Sequence, residues 1–121
     1  MKKNILYLTA CLISISACNY DVGEKLYPKA TTCDTTNVTF KNTIQPILAN
    51  SCVSCHNSSF TQGNVNLDGY TNVAIWAKNG KLYGSMAHNG TASPMPKGTG
   101  KLDDCTIQKV KKWVDSGYPN N

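Results

Sequence analysis

Hydrophobic residues recur at helical spacing early in the chain, between polar stretches. Over residues 36–50 one helical face collects the apolar side chains Phe40, Ile44, Ile47 and Leu48. Thr39 can cap this helix, because a threonine hydroxyl accepts a hydrogen bond from an early backbone N–H. Pro46 lacks an N–H and crowds the preceding turn. It therefore predicts a kink, or a new helix with Pro46 in its opening turn.

The same spacing, together with helix-end residues, predicts more helices downstream. These are residues 70–78 and a last helix from Asp103 or Asp104 to Gly117, whereas residues 81–87 are expected to form only a short turn. Residues 57–69 and 88–100 are rich in Gly, Asn, Ser, Thr and Pro, which is typical of loops. Because no strand alternation is visible, the pattern predicts an all-α fold.

The first residues have the features of an export signal. Lys2 and Lys3 precede an apolar run over residues 5–15, which is short for a membrane-spanning helix. The run ends in Ile15-Ser16-Ala17-Cys18, which resembles the lipobox of bacterial lipoproteins. That resemblance implies that residues 1–17 are a signal peptide and that Cys18 is lipidated. The alternative is an ordinary signal peptide that leaves Cys18 free.

Residues 18–33 are polar and lack a period, which predicts a lipid-anchored tether in front of a domain over residues 34–121. Several acyl chains would anchor the exported protein stably to a membrane, facing the periplasm. The sequence does not indicate whether this membrane is the inner or the outer one. The net charge is +5, and Lys2 and Lys3 leave with the signal. Because the chain has no Arg and no basic stripe, no nucleic-acid partner is expected.

The most specific chemical signal is Cys52-Val53-Ser54-Cys55-His56. Two thiols three residues apart, with a histidine directly after, are typical of covalent attachment of a c-type haem. Each sulfur can add to a porphyrin vinyl group, and the imidazole of His56 can bind iron as the proximal ligand. A thioredoxin-like dithiol and half of a zinc site are the alternatives. The first needs an α/β unit and the second another Cys/His pair, and the sequence shows neither pattern.

Cysteine counting predicts a disulfide as well. Of six cysteines, Cys11 leaves with the signal, Cys18 takes lipid and two take haem. Cys33 and Cys105 are left as an even pair outside the cytoplasm, where disulfides persist. We expect them to bridge, and the alternative is two separate thiols.

Haem iron takes a second axial ligand unless that position is left open, and three residues are candidates. Met95 lies between Pro94 and Pro96, and flanking prolines restrict the backbone that carries its thioether. We expect Met95 to be the distal ligand; alternatively it anchors the loop in an apolar gap. Met86 has the spacing of a core residue. His88 could bind iron, contact a haem propionate or be exposed.

Several stretches follow one another in a recognisable order: Phe40-x-x-x-Ile44-x-Pro46-Ile47-Leu48, Cys52-x-x-Cys55-His56, Leu67-x-x-Tyr70, Met95-Pro96-x-Gly98, and Ile107-x-x-Val110-x-x-Trp113-Val114-x-x-Gly117-x-Pro119-Asn120. Together they resemble the small class I cytochrome c domain of many bacterial exported proteins, including Bacteroidetes-type lipoproteins. The resemblance covers about residues 34–121. It implies three to five helices around one covalent haem, Met95 as distal ligand, and a crossing of the first and last helices. The first helix lacks the glycine that many relatives have there, so a looser or shifted crossing is expected.

The expected function is single-electron transfer between redox protein partners, by a carrier and not an enzyme, without a small-molecule substrate. One alternative is a haem-relay subunit of a larger respiratory complex. Another is a haem enzyme or gas-binding protein, if Met95 leaves the iron open. Four lysines could surround an exposed haem edge and steer an acidic partner, or could simply be solvated: Lys78, Lys81, Lys97 and Lys101.

Overall fold

The computed structural model describes residues Thr32–Asn121. The predicted signal peptide over 1–17, the lipidated Cys18 and the tether up to residue 31 lie outside the described residues. Among the helices of residues 32–121, none has the length and apolarity needed to span a membrane.

The described chain is built from a helical turn followed by four α-helices. A 3-10 turn lies between the first and the second α-helix. A π-helical turn at Phe40–Ile44 continues directly into the first α-helix. The α-helices are α1, Gln45–Ser51; α2, Tyr70–Lys78; α3, Lys81–Ala87; and α4, Asp104–Asp115. Over residues 32–121 no strand forms, only an isolated bridge between His56 and Thr61. The all-α prediction is therefore confirmed for this part of the chain.

The first predicted helix begins later than the pattern over residues 36–50 suggested. The backbone N–H and hydroxyl of Thr36 both donate to Asp34, at 2.9 and 2.6 Å. Such local side-chain bonds compete with helix formation. Helical structure begins at Phe40, after Thr39, whose hydroxyl accepts from the Asn42 N–H at 3.2 Å. Pro46 lies in the first turn of α1, so a new helix, and not a kink, accommodates it.

The crossing of the first and last helices contains the largest buried side chain. Trp113 of α4 has no exposed surface, and its ring centroid lies 5.6 Å from that of Phe40. Tyr70, at the start of α2, meets Phe40 edge to face at 5.2 Å. The contact between Phe40 and Trp113 lies where the sequence resemblance implied that the first and last helices cross. Aromatic pairs at these distances stabilise a core beyond the area they bury.

The C-terminal residues form hydrogen bonds with both sides of this crossing. The indole N–H of Trp113 donates to the Pro119 carbonyl at 2.9 Å. The side-chain oxygen of Asn121 accepts from the Phe40 N–H at 2.8 Å, and its backbone oxygen accepts from the Lys41 N–H at 2.9 Å. Two N–H groups at the start of the first helical turn, which lack partners within the helix, are thereby satisfied.

Cys33 and Cys105 are joined by a disulfide, with their Cα atoms 5.3 Å apart. Cys105 is the second residue of α4, directly after the capped helix start. The bridge therefore ties the beginning of the domain to the start of its last helix.

Candidate functional site

A cavity of about 880 Å³ lies beside the core. Its volume falls within the roughly 300–1,000 Å³ of small-molecule and cofactor pockets. It is lined by all four side chains that the sequence assigned to haem: Cys52, Cys55, His56 and Met95. Residues separated by more than forty positions in the sequence thus meet at one site.

The two thiols reach the cavity through a turn that begins where α1 ends. Cys52 is the C-terminal cap of α1, and its carbonyl accepts from the N–H groups of Cys55 and His56 at 3.1 and 3.0 Å. Cys55 is exposed, whereas Cys52 is partly buried. Burial raises the pKa of the Cys52 thiol to about 11. The attacking thiol of a thioredoxin-like dithiol has a lowered pKa, and burial acts in the opposite direction at Cys52.

The imidazole of His56 is held by a backbone carbonyl. His56 is only 9% exposed, and its Nδ1 lies 3.3 Å from the Val65 oxygen. A carbonyl can only accept, so Nδ1 carries the proton, and the neutral form of the ring then has its lone pair on Nε2. The Leu67 N–H donates to the His56 carbonyl at 2.8 Å, which folds residues 57–67 around the ring. Metal-binding histidines are commonly oriented by a bond from the second ring nitrogen, like the one from Nδ1 to Val65.

Met95 reaches the cavity from the loop over residues 88–100. Its N–H donates to the Ser85 carbonyl at 3.0 Å, and its own carbonyl lies 3.0 Å from Nε2 of His88. The side chain is half-buried, and Pro96 lines the cavity beside it. Both main-chain polar atoms of Met95 are therefore bonded to residues at the C-terminal end of α3.

The other two candidates for the distal position differ from Met95. Met86 also lines the cavity, but it is 2% exposed and packed in the core from α3. His88 is exposed and does not line the cavity, and its Nε2 is bonded to the Met95 carbonyl. Met95 thus presents a thioether from a loop, Met86 presents one from the core, and His88 presents no nitrogen to the cavity.

The cavity wall combines apolar side chains with two of the four lysines considered above. Val65, Leu67, Trp76 and Leu82 line it. Lys81 and Lys97 line it as well, and the Lys81 ammonium lies 5.9 Å from the centroid of the Trp76 ring. Lys78 and Lys101 are not among the lining residues, and Lys101 pairs with Asp104 at 3.3 Å.

The donor set suits haem c better than a bare metal ion. Over residues 32–121, no three His, Cys, Asp or Glu side chains gather as a metal-binding group, and a structural zinc site needs four ligands. Haem needs two thiols for its vinyl groups and axial donors for its iron. One imidazole with a free lone pair, two thiols and a thioether on an apolar wall meet those needs.

Some groups of the site could not be predicted from the sequence, because they belong to the main chain. The Val65 and Ser85 carbonyls position His56 and Met95, and a carbonyl leaves no signature in the sequence. Comparison with protein-family models, with curated proteins and with solved structures found no match. The residues and geometry described above therefore carry the functional argument.

Proposed function

We propose that this protein is a lipoprotein with one monohaem c-type cytochrome domain of the small class I type. It would transfer single electrons between redox partners. One observation carries the proposal: Cys52, Cys55, His56 and Met95 all line a single, largely apolar cavity. Each of these residues has the chemistry for a separate task at a covalently bound haem.

Cys52 and Cys55 would hold the group through thioethers. Each thiol adds its sulfur and hydrogen across one vinyl double bond, so the attachment needs no oxidant. The turn after α1 brings both thiols to the same cavity, with His56 directly following. A neutral imidazole whose Nδ1 donates to Val65 can offer Nε2 to iron.

Met95 would provide the distal thioether. Bound haem supplies one-electron chemistry, its iron alternating between the ferrous and ferric states. A thioether ligand stabilises the ferrous state and raises the reduction potential. With His56 and Met95 as its two iron ligands, the haem would require neither substrate nor water at the iron. An electron carrier, and not an enzyme, is the function that follows from this ligand set.

Partner proteins would approach the exposed side of the motif. Cys55 and Ser54 are exposed while His56 is buried, so the motif has one side toward solvent and one toward the core. Lys81 and Lys97 at the cavity would favour an acidic surface on a partner, mainly by raising the rate of encounter. A lipidated Cys18 would keep the protein on a membrane facing the periplasm.

The proposal is tested on the full chain, exported with the haem-attachment machinery of its host. Intact-mass spectrometry should find one covalently added haem. Cys52→Ser and Cys55→Ser should each lose one thioether, whereas Ser54→Ala, between them, is the matched control and should keep both. An unmodified polypeptide after proper export would overturn the proposal.

Visible spectroscopy with carbon monoxide separates the carrier from its rivals. A low-spin spectrum with a methionine–iron charge-transfer band, unchanged by carbon monoxide, supports the carrier. Rapid uptake of the gas would instead indicate an open axial site, as in a haem enzyme or gas-binding protein. Co-purification with other haem subunits after mild solubilisation would indicate a relay subunit.

A further inference from the structure

The main chain of Met95 is bonded at both of its polar atoms to residues at the end of α3. Its N–H donates to the Ser85 carbonyl at 3.0 Å. Its carbonyl accepts from Nε2 of His88, also at 3.0 Å. Of these two contacts, only the second is made by a side chain, so only it depends on residue type.

The residue that donates to this carbonyl has an uncommon backbone conformation. His88 ends α3 in the left-handed conformation, with φ of 55°, and its N–H donates to the Gly84 carbonyl. This conformation is uncommon for a residue other than glycine, although histidine adopts it more readily than most. The ring is exposed, so burial of apolar surface does not explain its placement. Because Nε2–H is a donor in the imidazolium and in one neutral tautomer, the bond does not require a charged ring.

A close approach at Gly84 gives independent support for the docking of this loop on α3. A β-carbon at Gly84 would lie 2.7 Å from the Thr91 Cβ and 3.1 Å from the Asn89 side-chain oxygen. The Asn89 oxygen also accepts from the Thr91 N–H at 3.0 Å. The segment between His88 and Met95 therefore packs against the helix at a position where only glycine leaves enough room.

We propose that His88 is a positioning residue, which fixes the Met95 main chain on α3 and so holds the thioether in the cavity. This inference rests on the proposed role of Met95 as an iron ligand. The two prolines beside Met95 limit its local backbone, but they do not attach the loop to the rest of the domain. The His88 bond and the Ser85 bond provide that attachment.

Two variants test the role of the imidazole in the haem-loaded full chain. His88→Gly removes the donor and places a residue that adopts positive φ without strain. His88→Gln removes the ring but keeps an N–H donor on a flexible side chain. We expect amide hydrogen exchange at Met95 to become about threefold to tenfold faster in His88→Gly, the ratio that one lost hydrogen bond predicts. Exchange in α4 should stay unchanged.

The same variants should affect the ligand itself. In His88→Gly the methionine–iron band should weaken, and carbon monoxide uptake should rise by about the same threefold to tenfold factor. His88→Gln should return both toward the wild-type values. Wild-type values in His88→Gly would overturn the inference. Equal loosening in both variants would also overturn it, because a side-chain N–H donor at this position would then not be what holds the loop.

Failure of the proposed function has a different signature. It would appear in the wild type, as a protein without covalent haem or without the methionine band. Failure of the His88 inference would appear as a wild type with both features and variants that match it. Met95 amide exchange reports on the loop attachment whether or not Met95 binds iron.

Discussion

At the scale of single residues, the site depends on how each donor is oriented. The Val65 carbonyl fixes the protonated nitrogen of His56, and α3 holds the Met95 main chain. Cys52 is partly buried and its pKa is raised to about 11, whereas Cys55 is exposed. The two thiols are therefore chemically unlike, although they share one motif.

Exchanging the two cavity methionines for leucine distinguishes the ligand from the core residue. Met95→Leu keeps the side-chain volume but removes the thioether, so it should abolish the methionine–iron band and allow carbon monoxide to bind. Met86→Leu should keep the band, because Met86 is a core side chain of α3 with 2% exposure. Both should lower the free energy of unfolding by less than about 1.5 kcal/mol.

Ferric spectra and urea unfolding of the two variants provide the measurements. Loss of the band in Met86→Leu, with retention in Met95→Leu, would show that the two roles are reversed. The reduction potential gives a second readout, and it should fall in Met95→Leu because the thioether favours ferrous iron.

At the scale of elements, α4 begins with a titratable cap. The Asp103 carboxylate accepts from the Thr106 N–H at 2.9 Å and from its hydroxyl at 2.6 Å. These bonds, the one from the hydroxyl first, lower the pKa of Asp103 below its ordinary value of 3.8. A lowered folded-state pKa means that the charged cap stabilises the fold fully above about pH 4, and that this contribution disappears as the pH falls through the folded-state pKa.

Substitutions of Asp103 separate capping from charge. Asp103→Ala should lower the free energy of unfolding by about 1 kcal/mol at pH 7, whereas Asp103→Asn should cost little because asparagine caps about equally well. Asparagine does not titrate, so the stability of Asp103→Asn should fall less steeply than that of the wild type below pH 4. Urea unfolding across the acidic range measures both. Parallel pH curves would contradict this role for the carboxylate.

The loop that carries Met95 packs closely against α3 at Gly84. Gly84→Ala gains helix propensity of about 1 kcal/mol, but the added carbon would lie 2.7 Å from Thr91, and overpacking costs about 1–3 kcal/mol. We expect a small net loss of stability together with a displaced loop and a weaker methionine–iron band. Gly100→Ala is the matched control, since no atom lies within 4 Å of a β-carbon there. An unchanged band in Gly84→Ala would contradict the close docking.

The elements also show how far the sequence could predict this structure. The bounds of α2 follow from spacing and from Asn79-Gly80, because these signals are local, whereas α3 was expected only as a short turn. The cap at Thr39 is confirmed. The helical region was drawn from residue 36, which is too early, since Asp34 binds Thr36 in a way that periodicity does not report. The sequence proposed Cys52, Cys55, His56 and Met95 for one site from their spacing and side-chain chemistry, and the structure brings all four to one cavity; their binding of haem stays a prediction. The His88–Met95 bond and the Gly84 contact were not predicted, because they depend on where a loop docks in three dimensions.

At the scale of the whole domain, two contacts between distant parts of the chain lie away from the cavity. The C-terminal residues hold the start of the first helical turn through Asn121, and the disulfide holds Cys33 to the start of α4. Neither Cys33 nor Cys105 lines the cavity. Fold stability and the arrangement of the four cavity residues should therefore respond separately to changes at these two contacts.

Removing the disulfide tests that separation. The two cysteines are 72 positions apart, and the loop-entropy model gives a stabilisation of about 4 kcal/mol for a loop of this length. The double variant Cys33→Ser, Cys105→Ser should melt roughly 15–30 °C below the wild type, because each kcal/mol shifts the midpoint of a small domain by several degrees. Well below its midpoint the variant should keep the wild-type methionine–iron band and both thioethers, because the residues that hold them are attached to α1 and α3. A variant that melts with the wild type would contradict the constraint, and one that loses the band while folded would show that α4 positions Met95 after all.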